Sequence, residues 1–248
     1  MAYIVRHTSK SRIVQTTLIV ILLCISLFLF IQSNFFNCQR VIITGNHWLH
    51  EDYLIKVADV SMGSNLFYID VSVVKQKLEL IPMVESVIIQ KRLPHTLYIT
   101  IVERTPALLL VASGKFILVD KQGVFIRDVE SIRDFMDLPI VTGLDIKQDI
   151  APGELLQDAK MILALTLQKK IWEEYGEYFN EIDLSLGINN VVMYTREGIT
   201  VKIGSIDNID EKMSLFKKIY LDKLQEGNLA LLDYLDISFS GLPVIKYK

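Results

Sequence analysis

An uncharged apolar run over residues 13–31 stands behind Arg6, Lys10 and Arg12 and ahead of more than two hundred residues of ordinary globular composition. As a helix it rises about 28 Å, close to a hydrocarbon core of roughly 30 Å. The chain is therefore expected to cross a membrane once, with residues 13–33 as the transmembrane segment. No acidic residue precedes Glu51. The positive-inside rule then puts the cationic leader, residues 1–12, in the cytoplasm and the bulk of the chain across the membrane. A cleaved signal peptide shares the basic leader, but its apolar region is usually about 7–15 residues and ends at small residues resembling Ala-x-Ala. This run is longer and continues into Gln32-Ser33-Asn34-Phe35-Phe36-Asn37. Phe28, Phe30, Phe35 and Phe36 suit the outer half of the span and its interface.

Composition narrows what the remainder can do. The chain has 26 basic and 29 acidic residues; without the three leader cations the balance is 23 against 29, a net of minus six. A mildly acidic exposed part argues against nucleic-acid binding, which wants a basic face, and does not favour extended contact with anionic lipid. The two cysteines, Cys24 inside the apolar run and Cys38 just past it, leave the exposed part without a disulfide staple. Hydrophobic cores must hold it.

From Val41 the pattern reads strand, helix, helix, strand, strand. Val41-Ile42-Ile43 stops at the turn pair Gly45-Asn46. Glu51 and Asp52 sit where carboxylates favour a helix start, with Tyr53, Leu54 and Val57 on one face. Asp70 is an N-cap for a second helix carrying Val71, Val74, Leu78 and Ile81, ended by Pro82. Residues 84–102 form a hairpin turning at Arg92-Leu93-Pro94-His95, with Val87, Ile89, Leu97, Ile99 and Ile101 alternating with wetter partners. Pro106 ends the unit, since proline cannot sit inside a ladder.

Beyond Pro106 the expected strands are 108–111, 116–119, 124–126, 182–186, 191–195, 199–203, 234–239 and 244–247. A polar stretch covers 127–137. One helix is expected over 154–172, with Leu155, Ala159, Ile162, Leu163 and Leu167 as its apolar stripe, and another over 210–224, with Met213, Phe216, Ile219, Tyr220 and Leu224. The fold class is α+β: one N-terminal transmembrane helix, a β-α-α-β-β domain, then a second α+β domain with an extended, mainly antiparallel sheet.

The first unit resembles a POTRA domain, on Val41 to Asn46, the Gly63-Ser64-Asn65-Leu66-Phe67-Tyr68-Ile69-Asp70 segment, Pro82-Met83-Val84, Lys91-Arg92-Leu93-Pro94-His95-Thr96-Leu97 and Val102-Glu103-Arg104-Thr105-Pro106-Ala107. The continuation resembles the FtsQ/DivIB bacterial cell-division family, through the hairpin Asp120-Lys121-Gln122-Gly123-Val124-Phe125 and the segment Leu138 to Gly143. His50 departs from the pattern, standing where a Ser or Thr usually caps the first POTRA helix. The resemblance implies a POTRA domain over 41–106 and a C-terminal β domain over 107–248. It implies a non-enzymatic, single-pass scaffold at the midcell septum that binds FtsB- and FtsL-like division proteins and other septal membrane proteins, linking them to peptidoglycan synthesis. By the family pattern the partner-binding residues are Phe239, Ser240 and Gly241, with Val244, Lys246 and Tyr247 on the final strand. An exposed terminal strand can pair with a partner's extended segment, backbone bonds supplying affinity and side chains specificity. Alternatively, Val244 and Tyr247 are core residues closing the sheet. POTRA motifs alone also fit a periplasmic chaperone or a secretion or outer-membrane assembly module, the alternative function.

No chemistry competes with the scaffold reading. His47-x-x-His50-Glu51 lacks the ligand order of a zincin in either direction. There is no Gly-rich phosphate loop, Gly-x-Ser-x-Gly elbow or Cys-His pairing, so neither catalytic residues, a metal nor a cofactor is expected. Asp183 and Asp236 recur in similar settings, Ile-Asp-Leu-Ser and Leu-Asp-Ile-Ser. Strand alternation puts both on a wet face rather than in a paired-carboxylate site.

Overall fold

The structure is a computed structural model, which describes residues 8–112, 114–146, 150–239 and 241–248. The chain divides into two compact units, Met1–Glu103 and Arg104–Lys248.

The first unit opens with helix α1, Thr8–Ile31. Its segment Arg12–Ile31 is 20 residues long with a mean hydropathy of 2.7 and none of it buried, which fits a single membrane span. A three-stranded sheet follows in the order β1-β3-β2, from β1 (Arg40–Thr44), β2 (Val84–Arg92) and β3 (Thr96–Glu103). The β2–β3 hairpin is antiparallel and β1 joins β3 in parallel. Helices α2 (Glu51–Ala58) and α3 (Val71–Glu79) cover it. Leu54, Ala58, Val74 and Leu78 of the helices, like Leu97, Ile99 and Ile101 of β3, are all at most 5 % exposed. Asp70 caps α3 as expected, accepting from the Ser72 and Val73 amides. His50 caps α2 without a side-chain bond. The first turn of α2 is instead supported by Glu51 and Asp52 against the helix dipole. The Glu103 carboxylate accepts from the amides of Trp48 and Leu49, tying the loop after β1 to the end of β3.

The second unit is one nine-stranded sheet in the order β12-β11-β10-β9-β8-β7-β4-β5-β6. Its strands are β4 (Pro106–Ala112), β5 (Lys115–Asp120), β6 (Phe125–Val129), β7 (Ile140–Thr142), β8 (Phe179–Asp183), β9 (Val191–Thr195), β10 (Thr200–Gly204), β11 (Leu232–Asp236) and β12 (Val244–Tyr247). Pro106 starts β4, where no ladder bond is lost. Five neighbouring pairs are antiparallel; β4–β7, β7–β8 and β10–β11 are parallel. Helix α4 (Ala159–Leu167) continues through a π-helical turn (Gln168–Trp172) and Glu173–Tyr175, and α5 is Ile209–Gln225. Met161, Ala164, Leu167, Met213 and Phe216 form one core with Ile182, Met193, Val201 and Leu235 of the sheet.

Four expectations are corrected. The fourth helix starts at Ala159, not 154, because Gly153, Glu154 and Leu156 exchange backbone hydrogen bonds with Gly123 and Phe125. Leu155, Ala159 and Ile162 are exposed, and the buried stripe runs through Met161, Ala164, Leu167 and Ile171. Strand β8 begins at Phe179 and ends at Asp183, and Leu224 of α5 is 53 % exposed rather than part of the core stripe.

Candidate partner-binding edge

Among the described residues strand β12 ends the sheet and pairs on one side only, with β11. The register Leu232↔Tyr247, Tyr234↔Lys246, Leu235↔Ile245 and Asp236↔Val244 puts Val244 and Lys246 on the face away from the helices, and Ile245 and Tyr247 on the helix face. Val244 is 44 % and Tyr247 45 % exposed, so neither is a core residue closing the sheet. Phe239 and Gly241 lie in the exposed connection between β11 and β12. Ser240 falls outside the described residues. The sequence-derived set therefore shares a strand edge and its turn but divides between two faces.

Cations line this edge. Lys246 Nζ is 2.7 Å from Asp233 Oδ2 and lies over the Tyr234 ring. Lys223 Nζ of α5 is 2.8 Å from Glu226 Oε2 and over the Tyr247 ring. Hydrogen bonds to Asp233 in one case, and to Glu226 and Tyr247 in the other, raise both lysines above their ordinary range. They stay charged throughout the physiological range. Phe239 and Gly241 border a cavity of about 510 Å³ with Asp207, Glu211 and Lys212 at the start of α5. Sequence reasoning missed Lys223 and Ile245.

A second signal lay in the sequence and went unread. Asp158-Ala159-Lys160-Met161-Ile162-Leu163 and Asp210-Glu211-Lys212-Met213-Ser214-Leu215 share the spacing Asp-x-Lys-Met-x-Leu, and each precedes one of the two Asp-x-Ser segments. The halves β7-α4-β8-β9 and β10-α5-β11-β12 are built alike. Each has a parallel strand pair around a helix, followed by an antiparallel strand. Lys160 donates to the Gly143 carbonyl at 2.6 Å, and Lys212 to the Ile203 and Ser205 carbonyls at 2.9 and 2.8 Å. Asp183 accepts from the Ser185 amide and Asp236 from that of Ser238. The two aspartates are turn-forming equivalents. With β9 and β10 between their strands they stand about 14 Å apart, too far for a carboxylate pair.

The register repeats as well. Val192, Met193, Tyr194 and Thr195 oppose Asp183, Ile182, Glu181 and Phe179, with a shift between Phe179 and Glu181; β12 opposes β11 with the same shift between Leu232 and Tyr234. Strand β12 is thus the counterpart of β9. The outer side of β9 is filled by antiparallel β10. Among the described residues no strand fills that side of β12.

Among the described residues no three His, Cys, Asp or Glu side chains gather in a metal-binding arrangement.

Similarity to known proteins agrees with this architecture. Residues 36–104 match the POTRA domain, FtsQ-type, and residues 107–238 the family model Cell division protein FtsQ/DivIB, C-terminal. Cell division protein DivIB of Clostridium tetani is 26 % identical over 233 residues, covering 92 % of this chain and 86 % of that protein. Cell division protein FtsQ of Geobacter sp. strain M21 is 29 % identical over 197 residues, covering 78 % and 69 %. The solved extracytoplasmic domain of DivIB from Geobacillus stearothermophilus aligns with 41 % of this chain and 79 % of its own, at 13 % identity and a TM-score of 0.29, too low to carry the assignment. The C-terminal match alone spans more than half of the chain, which therefore belongs to the FtsQ/DivIB family of bacterial cell division proteins.

Proposed function

We propose that this protein is a non-enzymatic, single-pass scaffold of the septal complex, which captures an extended segment of an FtsB- or FtsL-like partner along β12 and links it to septal peptidoglycan synthesis. Residues 1–12 lie in the cytoplasm and 13–33 in the inner membrane. A POTRA domain over 41–106 and a β domain over 107–248 lie outside. The observation that carries the reading is the repeated register: β12 offers the side that β9 uses to bind β10. Strand addition there needs no rearrangement of the sheet.

On this reading the partner residue opposite Ile245 takes the place of buried Val201, opposite Met193, and is apolar. Its neighbours take the places of Thr200 and Lys202 and are polar. Tyr247→Glu and Lys246→Glu, each checked for retained fold by circular dichroism, should weaken affinity for the extracytoplasmic segment of an FtsB-like protein by about tenfold or more, or about 1.4 kcal/mol. Unchanged affinity in both variants overturns the assignment. The alternative, a chaperone or secretion module, draws on the POTRA domain alone, whereas the match over 107–238 is to a division family. A fluorescent fusion should gather at midcell, and uniform envelope staining would favour the alternative.

A further inference from the structure

The C-terminus of α1 is joined directly to the POTRA unit. Asn65 Nδ2 donates to the Ile31 carbonyl at 2.7 Å, while Asn65 Oδ1 accepts from the Phe67 amide at 3.0 Å. One side chain thus closes the end of α1 and the start of the helical turn Leu66–Tyr68. Aromatic rings continue the joint. Phe30 lies 5.1 Å from Phe36, which is 5.1 Å from Phe67, and Phe35 stacks on Phe30 at 5.7 Å. Phe36 is buried, yet Phe35 is 56 % and Tyr68 67 % exposed.

The sheet brings a second set of groups to the same end. The amides of Gln39 and Arg40 donate to the His95 carbonyl, which places the tip of the β2–β3 hairpin beside the chain leaving α1. Leu93 at that tip is 56 % exposed. Lys91 Nζ donates to the Phe67 carbonyl, and Arg92 lies over Tyr98. Charge is segregated along the sheet: Arg40, Lys91 and Arg92 stand at this end, whereas Glu51, Asp52, Glu85 and Glu103 stand at the other. The two carboxylates nearest the basic end are engaged, Asp59 by Lys77 and Asp70 by the amides of α3. The net negative balance of the exposed part conceals this polarity.

We propose that this end of the POTRA unit, carrying Phe35, Tyr68, Leu93, Arg40 and Arg92, is seated in the headgroup layer of the bilayer that α1 crosses, with anionic phospholipid as its partner. The proposal rests on α1 being a membrane span. From Arg12, the 20 residues of the span rise about 30 Å, one hydrocarbon thickness. Ile31 then marks the hydrocarbon boundary, and groups bonded to it lie within the interface. Aromatic rings and cations are the side chains that favour that layer. The bonded joint holds the unit at one inclination instead of leaving it on a free linker.

Spin labels on the full chain test this by immersion depth in mixed phosphatidylcholine–phosphatidylglycerol vesicles. Cys38 is 1 % exposed and is left unlabelled, so the native chain reports from Cys24. Cys24→Ala combined with Tyr68→Cys, Leu93→Cys or Leu80→Cys reports from the POTRA unit. Leu80 is 82 % exposed and lies near the opposite, acidic end. The expected oxygen-to-nickel collision ratio is highest at position 24 and several-fold higher at 68 and 93 than at 80. It should fall at 93 in Arg40→Glu/Arg92→Glu and in vesicles of phosphatidylcholine alone. Water-like ratios at 68 and 93 with a lipid-like ratio at 24 overturn the seating while leaving the anchor. A water-like ratio at 24 overturns both. Depths at 93 that ignore the anionic lipid overturn the choice of partner.

Discussion

Arg104 Nη1 lies 2.6 Å from Asp120 Oδ2, and Asp120 is 1 % exposed. The other carboxylate oxygen accepts from the amides of Gln122 and Val124 at 2.9 and 2.8 Å. One aspartate thus orders the β5–β6 turn and ties it to the first residue of the second unit. Arg104→Ala leaves a buried charge without its cation, and such losses typically cost about 3–5 kcal/mol. A fall of that size in denaturation free energy, with the POTRA unit's transition unmoved, is the expected result; a change under about 1 kcal/mol would show the pair to be incidental.

Glycine 143 separates two kinds of cost. It has φ +77°, and a Cβ there would overlap the backbone of Ser185. Gly187 has φ +91° with nothing within 4 Å. Gly187→Ala should therefore lose only the left-handed penalty, about 1–2 kcal/mol. Gly143→Ala must also push β7 from the turn after β8, so its denaturation midpoint should fall further. Equal losses would mean that the close approach contributes nothing.

Burial raises the Cys38 thiol above its ordinary value, partly offset by backbone hydrogen bonds at Arg40 and Leu97. The sign follows from linkage: the folded state favours the neutral thiol, so this contribution is complete below the unfolded pKa and is lost as pH rises through the higher folded value. In native protein at neutral pH, Cys38 should react with a maleimide far more slowly than after unfolding. Equal rates in the two states would show that the site opens.

Lys160 and Lys212 hold equivalent strand-end carbonyls, one in each half of the second unit. Replacing either by Met strands buried or half-buried acceptors, at about 1–3 kcal/mol. The two losses should be of similar size and should add in the double variant, because the sites share no partner. Loss at only one position would break the equivalence of the halves.

Much of this was legible because periodicity reports on which side of an element meets the core. The strand-helix-helix-strand-strand order, the Asp70 cap and the final strand at 244–247 all lie where local pattern put them. Pattern misled at 154–158, where Leu155 keeps a helical spacing while its neighbours give their backbone bonds to Gly123 and Phe125. At Asp183 and Asp236 alternation rightly argued against a carboxylate pair, while the two equivalent turns behind their likeness went unread.

The sequence by itself determined the apolar span, the order of the elements in the first unit and membership in the division family, because these depend on composition and spacing along the chain; strand β7 at Ile140–Thr142 was too short to stand out. Only the tertiary structure decided that β12 is an edge with the register of β9, that Asn65 closes the end of α1, and that the POTRA charges gather at opposite ends. Each is a relation between segments far apart in sequence. Local propensity is silent about such relations, which are settled when backbone hydrogen bonds choose their partners.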